Sequence, residues 1–180
     1  EILRGVKTRH PDSPDPYALE ADYLMDAGEH RDAAELYKLA REKKESVPLL
    51  LKHANALRRD GRTMTAIDVL NKGIEQFPEA HRLHLDLAQS YMATDQLDKA
   101  RDTYEKTLEL NPDSSVALNN LAWLLREEDA QRALELSEKA YNANPDNTDI
   151  ADTYGWVLLR NNRIEDSIEV LERAHEQAPD

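Results

Sequence analysis

HRLHLDLAQSYMATDQLDKARDTYEKTLELNPDS, residues 81–114, decides the fold. Leu83, Leu87, Ala88 and Tyr91 recur every three or four residues and share one helical face. Thr94-Asp95-Gln96 interrupts them. Leu97, Ala100, Tyr104, Thr107, Leu108 and Leu110 then form a second stripe. Asn111-Pro112-Asp113 ends it, because a proline lacks the amide donor that a continuing helix needs. The stretch predicts helix, tight turn, helix, stop. Ala88 and Ala100 are small enough to let two helices approach closely, and Tyr91 and Tyr104 fill the space beside them.

The pattern recurs outward from this stretch. Pro11, Pro78, Pro112, Pro145 and Pro179 follow a 34-residue beat, with one step of 33 and one double step of 67. Ala33, Ala66, Ala100, Ala133 and Ser167 keep the same beat, as do Ala21, Ala54, Ala88, Ala122 and Gly155. A period of this size predicts stacked units, each burying its apolar face on its neighbours. The units fall at 14–46, 47–80, 81–114, 115–147 and 148–180. Gly28 and Gly61 occupy the turn inside their units, where a left-handed residue ends a helix. Asp95 and Asn162 hold that place in the third and fifth units, and the fourth is one residue short there, at Glu127-Glu128-Asp129. The first unit has Glu45 in place of the closing proline, and Pro48 falls in the first turn of the next helix. Leu3, Val6 and Pro11 take the places of Tyr104, Thr107 and Pro112, so residues 1–13 read as the tail of a preceding second helix. Ile168 and Leu171 read as apolar positions without a covering element. The chain begins with Glu1 and ends at Asp180, and reads as an excised piece of a longer array.

Leu87-Ala88, Tyr91, Ala100, Tyr104, Thr107 and Pro112 resemble the tetratricopeptide repeat (TPR), and the resemblance covers essentially the whole chain. It implies an all-α fold, an α-α superhelix (TPR solenoid) of about five helix-turn-helix repeats. A narrower resemblance rests on ALNNLAWLL (117–125) and DTYGWVLLRNNRIEDSIEVLERA (152–174), which look like bacterial TPR lipoproteins of exosortase/PEP-CTERM exopolysaccharide export systems. It implies a periplasmic or exported scaffold. Nothing in the composition decides between that compartment and the cytoplasm.

In the family, the second, fifth, ninth and twelfth places of each unit face a concave groove. The resemblance therefore implies groove positions at Asp15, Ala18, Asp22 and Met25, and at Pro48, Leu51, Asn55 and Arg58. The third unit supplies Arg82, Leu85, Gln89 and Met92. The fourth supplies Val116, Asn119, Trp123 and Arg126, and the fifth Asp149, Asp152, Trp156 and Leu159. Trp123 and Trp156 are the only two tryptophans and occupy equivalent places. As anchors they offer a large apolar area with one donor, to an extended peptide, a helix or a sugar ring. The alternative is that both rings are structural filler between neighbouring helices. Lys52, Arg58, Arg59 and Arg82 form a basic cluster that either receives an acidic segment or pairs with Asp86, Asp60 or Asp22. Asn55 and Asn119 match single places of the family's carboxylate clamp, whose lysines are absent.

Composition narrows the partners. The 180 residues carry a formal charge of −13, which repels nucleic acids and anionic membrane surfaces. Cysteine is absent, which removes disulfides, thiol catalysis and thiolate metal sites. No apolar run approaches the roughly 20 residues that span a bilayer. His81 and His84 have a spacing that suits a metal, yet no third ligand stands near them. His10, His30, His53 and His175 are scattered. Five glycines form no phosphate-cradling loop, and serine has no nucleophile-elbow context. The expectation is a non-enzymatic scaffold without cofactor or metal. A protein or peptide would bury apolar groups on Leu85, Trp123, Trp156 and Leu159, with Arg58, Arg82 and Arg126 steering acidic groups. Two alternatives stand beside it. One is a structural element of a periplasmic exopolysaccharide export complex, self-associating through uncapped ends. The other is a substrate-recruiting arm of a larger enzyme such as a glycosyltransferase.

Overall fold

The computed structural model describes residues 12–177, which fold into ten α-helices with no strand among them. The fold class is the all-α, paired-helix one that the periodicity predicts. Of the proposed tail at residues 1–13, residues 1–11 lie outside the described residues, and Asp12 and Ser13 are not helical. The chain divides into two compact units, Glu1–Gln96 and Leu97–Asp180.

The first unit contains α1 (Asp15–Asp26), α2 (His30–Lys43), α3 (Val47–Arg59), α4 (Thr63–Gln76) and α5 (His81–Met92). Each helix packs on the next, and α5 also meets α3. Ala21, Ala33, Ala54 and Ala66 have no exposed surface, so the paired helices pack closely at these positions. Leu50, Leu57, Leu70 and Leu83 interlock in the same core, and burying each stabilises the unit by about 1.5–3 kcal/mol. A Cβ on Gly73 of α4 would stand 2.9 Å from Leu50 Cδ1, so the missing side chain makes room for that leucine.

The second unit contains α6 (Leu97–Leu110), α7 (Ser115–Leu125), α8 (Ala130–Ala143), α9 (Thr148–Arg160) and α10 (Ile164–Gln177). Again each helix packs on the next, and α7 also meets α9. Ala100, Ala122 and Ala133 are fully buried. The last pair substitutes Gly155 and Ser167, and Ser167 Oγ donates to the Gly155 carbonyl at 2.7 Å. Tyr104 is buried and its hydroxyl accepts from Asn120 Nδ2 at 2.9 Å. Burial pushes its phenol up to about 12.

The turn reading is met in detail. Gly28 and Gly61 have φ of 80° and 79°, and Asp95 and Asn162 have φ of 57° and 58°. All four turns make the same pair of closing hydrogen bonds. After α3, Arg62 N donates to Leu57 O at 2.8 Å and Gly61 N to Arg58 O at 3.0 Å. After α9, Arg163 N donates to Leu158 O at 3.0 Å and Asn162 N to Leu159 O at 3.1 Å. This is a Schellman closure, which consumes carbonyls left free at a helix end. The shortened turn after α7 has no left-handed residue. There Asp129 caps α8 instead, its carboxylate accepting from Arg132 N at 3.0 Å.

Candidate functional site

Within the first unit, the implied groove positions fall on α1, α3 and α5. Leu51, Leu85, Gln89 and Met92 are half-buried, and Arg82 is exposed. Asn55 lines a hollow of about 460 Å³ with Asp22, Met25, Lys52 and Arg59. The carboxylate of Asp22 accepts from Lys52 Nζ at 2.7 Å and from the Tyr37 hydroxyl at 2.5 Å. Burial raises the Asp22 pKa, but these two donors outweigh it and the net shift is downward. Tyr37 reaches the hollow from α2, a second helix, so a reading restricted to first-helix positions missed it.

Two of the four basic residues are satisfied within the chain. Lys52 is bound to Asp22. Arg58 Nη2 meets Asp86 at 3.2 Å, and Arg58 Nη1 donates to Ser90 Oγ and the Asp86 carbonyl, both at 3.2 Å. Burial raises the Asp86 pKa, with Arg58 opposing it. Arg58 thus ties α3 to α5, and its donors are not free to receive acidic segments. Asp60 pairs outside the cluster, with Arg62 at 2.6 Å. Arg59 and Arg82 make no ion pair among the described residues.

Within the second unit, α7 and α9 lie side by side and bring four implied positions together. Trp123, Arg126, Asp152 and Trp156 line one open hollow of about 390 Å³ with Glu127 and Thr153. Trp123 is 39% exposed and Trp156 49% exposed, so neither ring is buried filler. The Arg126 guanidinium carbon lies 3.8 Å from the Trp123 ring centroid, a cation–π contact, and Arg126 Nη1 also donates to the Trp123 carbonyl. Arg160 pairs with Glu127 at the rim. Leu159 is 42% exposed but outside the hollow. Asn119 also stays outside; its amide donates to Asn120 Oδ1 at 3.4 Å, while its own Oδ1 is buried without a partner. Glu127 was legible only as part of a shortened turn, and Thr153 gave no signal in the sequence.

The histidines have structural surroundings. His84 Nε2 donates to the Pro78 carbonyl at 2.9 Å, while His81 Nδ1 is buried without a partner. His53 is 5% exposed, and its Nδ1 accepts from Arg41 Nη1 at 2.7 Å. Burial first, and then Arg41, pushes its pKa down to about 4. No group of three or more potential ligands for a metal occurs among the described residues. No helix among them is long and apolar enough to cross a membrane.

The tetratricopeptide repeat family model matches residues 57–123 and 124–180, more than half of the chain. The TPR repeat-containing protein PA4667 of Pseudomonas aeruginosa is 31% identical over 169 residues. That alignment covers 89% of this chain and 28% of the relative, so the chain spans about a quarter of that protein's length. Among solved structures, YrrB, described as a TPR protein with an unusual peptide-binding site, superposes with a TM-score of 0.73 at 20% identity. The match covers 100% of this chain and 94% of YrrB. MamA from Desulfovibrio magneticus RS-1 superposes with a TM-score of 0.77 at 18% identity, covering 91% of this chain and 94% of MamA. At these identities the structural likeness speaks for the fold.

Proposed function

The chain belongs to the tetratricopeptide repeat family, and on that premise we propose that this protein-interaction scaffold binds a peptide segment at the α7–α9 surface, around Trp123 and Trp156. One observation carries the reading: the only two tryptophans stand at equivalent places on adjacent first helices and line the same hollow, both partly exposed. A tryptophan anchor contributes by burying its ring against the partner while its indole N–H keeps a hydrogen bond. The grouping of helices into units 14–46, 47–80, 81–114, 115–147 and 148–180 is part of this proposal. So is a secondary contact surface on the first unit around Asn55, Arg59 and Arg82. Arg58 drops out of the steering role because Asp86 and Ser90 already hold it.

The test is the double substitution Trp123→Ala and Trp156→Ala, with a peptide selected from a display library against the unaltered chain. The substitution weakens binding of that peptide by about 2–4 kcal/mol in calorimetry. Unchanged affinity with unchanged helical ellipticity refutes the assignment.

A second reading, an assembly element that meets copies of itself, draws on α10. Ile164 and Ile168 are each 50% exposed and Leu171 is 38% exposed, at helical spacing along one face. Sedimentation that stays monomeric across concentration counts against it. The narrower roles, in exopolysaccharide export or as the recruiting arm of a glycosyltransferase, are tested by the parent reading frame. Export genes beside it support the first, and a transferase domain within it the second.

A further inference from the structure

The two tryptophans differ in what surrounds them. Trp123 carries its own cation, because Arg126, three residues on, lies 3.8 Å over its ring. Three residues after Trp156 stands Leu159, and no cation covers the Trp156 ring among the described residues. Four residues before Trp156, on the same helical face, Asp152 is exposed in the same hollow. It makes no ion pair or hydrogen bond among the described residues. The equivalent place before Trp123 is Asn119, which is neutral. Glu127, the other carboxylate of the lining, is already paired with Arg160. The Thr153 hydroxyl is turned away, donating to the Asp149 carbonyl at 3.0 Å.

Resting on the reading of this hollow as a docking site, we propose that its occupant is a peptide presenting a basic side chain, arginine or lysine, which stacks on Trp156 and pairs with Asp152. An open indole face beside a free carboxylate offers a cation two attractions at once. An acidic side chain there meets the Asp152 charge at close range and is repelled. A purely apolar one covers Asp152 and leaves a carboxylate desolvated without a partner, which is unfavourable. The −13 charge of the whole chain also draws cationic segments towards its surface.

Because the chain has only two tryptophans, its intrinsic emission reports on this hollow directly. The probes are three peptides, acetyl-Gly-Val-Ser-Xaa-Ser-Val-Gly-amide, with arginine, its neutral isostere citrulline, or glutamate at Xaa. Titrated at low salt into the unaltered chain, the arginine peptide shifts the emission and binds about five- to tenfold more tightly than the citrulline peptide. The glutamate peptide binds more weakly than either. In Trp123→Phe the response persists, which assigns it to Trp156. In Asp152→Asn, with ellipticity unchanged, the preference for arginine over citrulline falls to the roughly two- to threefold that stacking on Trp156 alone supplies.

Equal binding of arginine and citrulline peptides to the unaltered chain overturns the cation preference and leaves the hollow a docking site. Discrimination that is undiminished in Asp152→Asn overturns the pairing with Asp152, and the proposal with it. Unchanged emission with all three peptides overturns the docking reading itself.

Discussion

His53 shows how one side chain couples this fold to pH. Its ring is buried on α3 and accepts a hydrogen bond from Arg41, an arrangement only the neutral imidazole can make. The folded pKa lies at about 4, below the ordinary 6.5. The unfolded chain therefore binds this proton first as the pH falls, and acid favours unfolding. The His53 contribution is fully present above about pH 6.5. It declines between there and pH 4, by up to about 2–3 kcal/mol. Thermal melts at pH 7 and pH 5 check this: the drop in Tm is smaller in His53→Gln than in the unaltered chain. The left-handed turn residues give a second residue-scale prediction. Gly61 has φ of 79° with open space where a Cβ would go, so Gly61→Ala meets backbone strain and no clash. It costs about 1–2 kcal/mol in urea unfolding, whereas Asn162→Gly, at φ of 58°, leaves stability unchanged or raises it by up to about 1 kcal/mol.

Between helices, close approach depends on residues that barely have side chains. The α9–α10 pair is the sharpest case, because a Cβ on Gly155 would lie 2.6 Å from Leu171 Cγ. Two effects oppose each other in Gly155→Ala. Alanine favours the helix by about 1 kcal/mol, while displacing a packed leucine costs about 1–3 kcal/mol. Leu171 is 38% exposed, so it has open space to shift into, which keeps the cost towards the lower end. We expect Gly155→Ala to destabilise the chain slightly, and the same change in a Leu171→Ala background to stabilise it by about 1 kcal/mol. A double-mutant cycle in urea measures the reversal; an identical effect in both backgrounds contradicts the packing account. The α7–α9 pair shows the other use of a helix pair. Equivalent places on two parallel-running helices become neighbours, and side chains far apart in sequence share one hollow.

For the whole chain, 36 acidic residues face 23 lysines and arginines. Most ion pairs are exposed and contribute little each, so the unbalanced negative field outweighs them. Raising salt from about 20 mM to 150 mM shortens the screening length and lifts Tm by roughly a few degrees; a fall in Tm means that the ion pairs dominate. The family and the paired-helix class were legible from residue spacing alone, because a repeat folds by nearest-neighbour contacts whose small and large positions recur at a fixed period. The four left-handed turns were legible for the same reason, since glycine, aspartate or asparagine stands at each. Which charges are free was not legible. Arg58 and Arg82 look alike in sequence, yet Arg58 hydrogen-bonds to Asp86 and Ser90, 28 and 32 residues beyond it, while Arg82 acts on Asp86 only through its charge. The same holds for the tryptophans: equal spacing placed them at equivalent positions, but Arg126 covers one ring and leaves the other beside an unpaired Asp152. Periodicity encodes backbone packing, whereas pairing and exposure depend on side-chain reach across helices, which no single repeat contains.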